Sequence, residues 1–256
     1  MVNRSKTANR TQTGKGPLKS ESEHRAERVG WGQEPDERKL REERILDTAA
    51  AMLVRWGYRK TTIDDVAREA GVGKGTIYLH WKDKNELFRA AILRVNQQVS
   101  EDMMQRVAAD PEGGLPHRQW AHGMLAALAN PLMTAIIKGQ PDIFRLISTF
   151  DPGMRSLLVG NAETYVTQLQ RAGLIRDGIP VPVITFLLTA LKIGIIKTPD
   201  IISQEQMPSM EQLTGALSDL IRRWLEPEQL PGNSDTGKQS LAELLERVKE
   251  IEEQHR

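Results

Sequence analysis

With 256 residues the chain has room for a small domain and a larger second one. Its 35 basic and 34 acidic residues leave a formal net charge of +1, so affinity for a polyanion has to arise from local charge. No cysteine is present, which excludes disulfides, thiolate metal sites and cysteine nucleophiles.

Residues 1–38 are rich in Ser, Thr, Gly, Arg and Lys and poor in apolar side chains. Their basic tip holds Arg4, Lys6, Arg10, Lys15 and Lys19 and no acid before Glu21. Such a composition buries too little to fold and predicts a disordered tail. A passive solubilising extension and a DNA-tethering arm both fit it, and Trp31 within it has no explanation. No apolar N-terminal segment reads as a signal peptide. The longest apolar run, 181–196, contains Pro182 and Lys192 and falls short of the ~20 residues a membrane span needs. A cytoplasmic protein is expected.

Ile45, Ala49, Leu53 and Trp56 recur at i, i+4, i+8 and i+11 and predict an amphipathic helix stopped by Gly57. Thr62 is a good N-cap for the next helix, with Asp64 and Asp65 in its first turn. Val66 and Ala70 share a face, and Ala67 is small enough to let a second helix cross closely. Gly71 ends the helix at a position that tolerates left-handed backbone. A short helix over 74–81 follows. Val72 and Ile77 supply apolar wedges between these two helices, which neither needs less than the other because neither is stable alone. W-K-D-K-N-E-L-F then opens a further helix with Leu87, Ala91 and Val95 on one face. This is the spacing of a helix-turn-helix, whose second helix enters a DNA major groove.

The chemistry of that second helix fits the role. Lys74, Gly75 and Thr76 open it, where unpaired backbone N–H groups and the positive dipole end attract a phosphate, and glycine allows close approach. With Ile77 and Trp81 committed to the core, Lys74 and Tyr78 look outward as one i, i+4 pair and Thr76 and His80 as another. Thr76 suits a base edge or a thymine methyl, and Leu79 a methyl. Tyr78, His80 and Lys84 suit phosphate contacts, which set register without reading sequence.

Taken together, I-L-D-T-A-A-A-M-L-V-R-W-G-Y-R-K-T-T-I-D-D-V-A-R-E-A-G-V-G-K-G-T-I-Y-L-H-W-K-D-K-N-E-L-F resembles the DNA-binding domain of the TetR (tetracycline-repressor-like) family. The resemblance covers roughly 41–95. It departs at Trp81, where the family more often has phenylalanine. It implies DNA contacts from Thr76, Tyr78, His80 and Lys84, and a backbone contact from Thr62. It also implies a homodimer on a palindromic double-stranded operator, most often as a repressor released by a small effector bound in a helical second domain.

The rest of the chain predicts an all-α protein: a three-helix helix-turn-helix domain joined to a helical effector-binding and dimerisation domain. Residues 115–138 read as two helices or one kinked at Pro131. Further helices are expected over 142–150, 154–172, 181–197 and 210–225, the last with Leu213, Ala216, Leu217, Leu220, Ile221 and Trp224 on a 3.6-residue stripe. Trp120, Met124, Met133, Phe144, Ile147, Phe150, Tyr165 and Phe186 are candidates to line a pocket for a small, mainly apolar effector, although each taken singly reads as a core residue. Leu187, Leu191, Leu213, Leu217, Leu220 and Trp224 are candidates for a dimer seam, and a monomeric core would fit the same stripes. Lys192, inside an apolar helix, suits an acid across the seam, an anionic ligand or solvent.

His117 and His122 are five apart rather than i, i+4, so no metal is assigned, and no cofactor is expected. Nucleophile elbow, phosphate loop and metal-ligand spacing are all missing from the sequence, which argues against an enzyme. Domain limits are expected at 1–38 for the tail, 39–83 for the DNA-binding domain and 84–226 for the effector and dimer domain. A linker follows at 227–238, then a Glu-rich amphipathic helix at 239–256. That helix has three possible uses: capping the body, pairing with its copy, or binding a partner protein that replaces the small effector.

Overall fold

The computed structural model describes residues 34–138, 143, 146–147, 163–198, 201–230 and 234–254; among them the regular elements are helices, and no strand occurs. The protein is all-α, as its periodicities predict. The helix expected over 142–150, the front of that over 154–172, Trp31, Phe144 and Phe150 lie largely or wholly outside the described residues.

Helix α1 (Glu34–Lys60) begins inside the stretch expected as tail. Ile45, Ala49 and Leu53 are fully buried, but Trp56 is 40% exposed, with the Arg55 guanidinium 5.7 Å from its ring centre. Met52 completes the buried face instead. Gly57, at φ 75°, kinks the helix immediately after Trp56, in a conformation that costs glycine little. The buried Thr61 hydroxyl donates to the Gly57 carbonyl at 2.9 Å and secures that kink.

Two short helices follow, α2 (Ile63–Glu69) and α3 (Lys74–Tyr78), and then the long α4 (Lys84–Ala109). Their shared core holds Ile45, Leu53, Val66, Ile77, Trp81, Leu87, Phe88 and Ala91. Burying each large side chain contributes roughly 1.5–3 kcal/mol, which makes up for two helices too short to persist alone. The same core continues to Leu132, Ala135 and Ile136, so the first half of α4 belongs equally to the N-terminal head and to the body.

Helices α5 (Pro116–Ala129) and α6 (Pro131–Ile137) meet at a 108° bend. Pro131 cannot continue α5, and the Asn130 side chain accepts from the N–H groups of Leu132 and Met133 to start α6. A second core forms from Leu115, Val166, Leu169, Leu174, Ile184, Ile221 and Leu225. It is built by α7 (Glu163–Arg171), α8 (Val181–Lys197) and α9 (Met210–Leu225), with α5 against α4 and α9. Helices α8 and α9 fall on the limits their stripes predict.

Polar ties hold the ends of these helices. Between α4 and α5 the Asp110 carboxylate accepts from Arg118, from the His122 ring at 2.7 Å and from the Glu112 N–H. Desolvation alone would raise its pKa, but the bonds from His122, Glu112 and Arg118 outweigh it and hold the group at about 2. At the far end of α9 Glu226 accepts from both the backbone and the ring of His117. The Arg176 guanidinium donates to the carbonyls of Arg223 and Glu226, satisfying the end of that helix. A last helix, α10 (Asp235–Gln254), packs on α4 and α7 of its own chain. Of the three uses open to it from sequence, this arrangement corresponds to capping the body.

Candidate nucleic-acid interface

The geometry of α2 and α3 follows from their caps. The Asp65 N–H donates to Thr62 Oγ1 at 3.1 Å while the Thr62 N–H donates back to the Asp65 carboxylate at 3.1 Å, a closed capping box. The Thr62 hydroxyl also donates to Asp65 at 2.6 Å. Bonds from Thr62 and then Arg68 hold the Asp65 pKa below its usual value. A hydroxyl has one proton, so in this arrangement Thr62 has none left for a phosphate. A DNA contact from Thr62 requires its hydroxyl to leave Asp65. Gly71, at φ 65°, then turns the chain, and the Arg44 side chain donates to the Ala70 carbonyl to cap the end of α2 from α1.

Helix α3 is shorter than the 74–81 expected. It ends at Tyr78, and His80 and Trp81 are carried by a turn whose N–H groups both return to the Ile77 carbonyl. Ile77 is fully buried and Trp81 nearly so, which leaves the remaining residues facing out. Tyr78 is 46% and Leu79 81% exposed. Gly75 is exposed, and a Cβ added there would meet nothing within 4 Å. Thr76 and His80 are half-buried, with the His80 ring leaning on Trp81 at 5.2 Å between centres. Leu79 is the side chain with least reason to stand in water.

Four cations at this face are already engaged. Lys74 lies 2.8 Å from Asp64, a bond that raises its pKa. Arg68 lies 2.7 Å from Asp65, and Arg55 3.5 Å from Glu69. Lys84, at the start of α4, sits 4.3 Å above the Tyr58 ring and 3.5 Å from the Arg59 carbonyl, and burial pushes its pKa down. The Tyr58 hydroxyl in turn donates to Asn85, one residue further on. Tyr58 and Arg44 therefore shape the interface from outside the helix-turn-helix. Neither stands out in sequence, since one follows a kinking glycine and the other occupies an ordinary polar position of α1.

The candidate effector residues are not gathered in one place. Trp120 and Tyr165 pack on the second core, and the Tyr165 hydroxyl, its pKa raised by burial, donates to Gln119. Met133 and Ile147 pack on the first core instead. Met124 is half-buried. Phe186 is 71% exposed on α8 and, among the described residues, shares an open apolar face with Val183, Leu187 and Ile193. Among the candidate seam residues Leu187 and Leu220 are exposed, and Leu191, Leu213 and Trp224 are half-buried. Leu217 is a core position, 8% exposed, one turn before Ile221 and two before Leu225 on the inner face of α9. Lys192 is half-buried, and burial pushes its pKa down.

A short outward-facing helix anchored by buried Ile77 and Trp81 and crossed by a capped partner is the arrangement of a helix-turn-helix DNA-binding domain. Residues 45–91 match the family model described as bacterial regulatory proteins, tetR family. These residues therefore form a DNA-binding domain like that of this family of transcriptional regulators. It is 36% identical over 88 residues to the uncharacterized HTH-type transcriptional regulator YhgD of Bacillus subtilis, covering 34% of this chain and 44% of that one. It is 30% identical over 69 residues to the fatty acid metabolism regulator protein of Bacillus subtilis, covering 25% and 36%. The chain thus spans less than half the length of these curated relatives.

Solved structures extend the likeness to the fold of the body. A TetR-family transcriptional regulator from Pectobacterium atrosepticum aligns with a TM-score of 0.56 at 18% identity, over 76% of this chain and 98% of that one. FadR from Bacillus subtilis, in complex with stearoyl-CoA, aligns with a TM-score of 0.52 at 16% identity, over 70% and 96%.

Proposed function

We propose that this regulator is a cytoplasmic homodimeric repressor that binds a palindromic operator and leaves it when a small, mainly apolar molecule occupies the body. The carrying observation is the outer face of α3. There Gly75, Tyr78 and Leu79 stand open to solvent while Ile77 and Trp81 fix the helix from behind. In this reading Thr76 and Leu79 read bases, and Tyr78, His80, Lys84 and the backbone at Lys74 and Gly75 hold phosphates. The exposed apolar row of Val183, Phe186 and Leu187 on α8, with Leu220 on α9, supports pairing with a second copy. A fatty acid metabolism regulator among the relatives, and stearoyl-CoA in one structural neighbour, support an effector with an apolar body.

Selection from a random DNA pool tests the core of this reading. The expected product is an inverted repeat with half-sites one helical turn apart or multiples of it. Enrichment of no sequence, or of an unpaired half-site only, overturns the palindromic-operator reading.

A further inference from the structure

We propose that α10 is a brace between the body and the helix that carries the DNA head, so that its docking and operator affinity are linked. The proposal rests on the operator reading above. Both ends of α10 are tied to different parts of the chain. At its start the backbone passes so close to the turn before α5 that only glycine fits on either side. A Cβ on Gly114 would fall 1.6 Å from the Ser234 carbonyl oxygen, and one on Gly237 would fall 2.0 Å from that of Gly114. The Gln119 side chain, 3% exposed on α5, donates to the Gly237 carbonyl at 2.9 Å. Gln119 is held on its other side by the Tyr165 hydroxyl.

The middle and end of α10 reach two further helices. Ser240 and Leu241 are buried, and Glu243 accepts from Gln168 of α7 at 2.8 Å. Near the end the Glu252 carboxylate, 1% exposed, accepts from the Asn96 side chain at 2.8 Å. Asn96 lies on α4, about three turns after Lys84. The first turns of α4 are themselves core of the head, through Leu87, Phe88 and Ala91. The Asn96 amide fills one oxygen of this deeply buried carboxylate, and losing that bond would add to the cost of its burial, so Glu252 holds α4 in one register against the body. Shifting α10 at Gly237 breaks that register at Asn96. Any molecule that competes for Gln119 beside Tyr165 works on the same joint.

The test uses the full chain and an operator obtained by selection. In the unmodified protein, amide hydrogen exchange of α10 is measured with and without saturating operator. Linkage requires operator to slow opening of α10 by the factor that undocking costs in operator affinity, of the order of 5- to 150-fold for such couplings. Gly237→Ala, whose methyl has no room, should weaken operator binding by that factor, and Asn96→Ala by a smaller one, while the recognition residues stay intact. Exchange of α10 that operator leaves unchanged overturns the proposal, and this readout stands even if Gly237→Ala does not fold. A folded Gly237→Ala that binds with unchanged affinity overturns it as well. A protein that selects no DNA overturns the operator reading, and the brace falls with it.

Discussion

Gly75→Ala separates what the fold needs from what DNA needs. Gly75 is the second residue of α3, its φ lies outside the left-handed region, and a Cβ there meets nothing within 4 Å. The folded chain therefore has no use for a glycine at this position. In a helix interior alanine is favoured over glycine by about 1 kcal/mol, and near a helix start roughly half of that is expected. A gain of about 0.5 kcal/mol raises Tm by roughly 1–2 °C in a chain of this size. Operator affinity should move the other way. A methyl group held between α3 and the sugar-phosphate wall prevents the backbone N–H groups from closing on phosphate, and a loss of at least tenfold, about 1.4 kcal/mol, is expected. Differential scanning calorimetry and fluorescence anisotropy on the selected operator give the two numbers from one preparation. A variant that melts higher and binds within twofold of the parent would refute close approach at Gly75. One that melts lower would refute the open space behind it.

Lys84→Ala should weaken binding to every sequence alike and reduce the salt slope by about 0.9, the share of one phosphate, in a titration between low and moderate salt. Thr76→Ala should instead relax preference at one position per half-site, read by repeating the DNA selection. Leu220→Glu places a charge on the open face of α9 and should give a folded monomer by light scattering with little operator affinity, since joining two heads multiplies their binding. Leu217→Glu should instead lower Tm sharply, because that residue is core. Asp110→Asn should destabilise the protein by about 2 kcal/mol near neutral pH, following the drop of Asp110 from 3.8 to about 2 on folding. A carboxylate depressed in this way stabilises above its ordinary pKa and loses that contribution as pH falls toward 2. Urea titrations should therefore show the gap between parent and variant closing below about pH 4.

What could be read from sequence divides along a physical line. The head was legible because its helices are short and their limits are written in single residues. Thr62 caps, Gly71 turns, and Ile77 and Trp81 must go inside. Periodicity also placed α8 and α9, whose stripes are dense. It did not tell which side of a stripe meets its own chain: Leu217 and Leu220 are three apart on α9, yet one is core and the other open. A heptad-like stripe wider than one contact face carries two surfaces, and only the position of α5 decides between them. Phe186 is open for the same reason, since a large apolar side chain signals burial against something without naming the chain that buries it. The joint at Gly114 and Gly237 left no periodic trace, because close backbone approach is a property of two distant glycines at once. Arg44 capping α2 and Tyr58 beneath Lys84 were equally silent, each a contact across a kink or between helices. Local rules in this chain define where helices start and stop, and three-dimensional packing decides which of their faces remain for a partner.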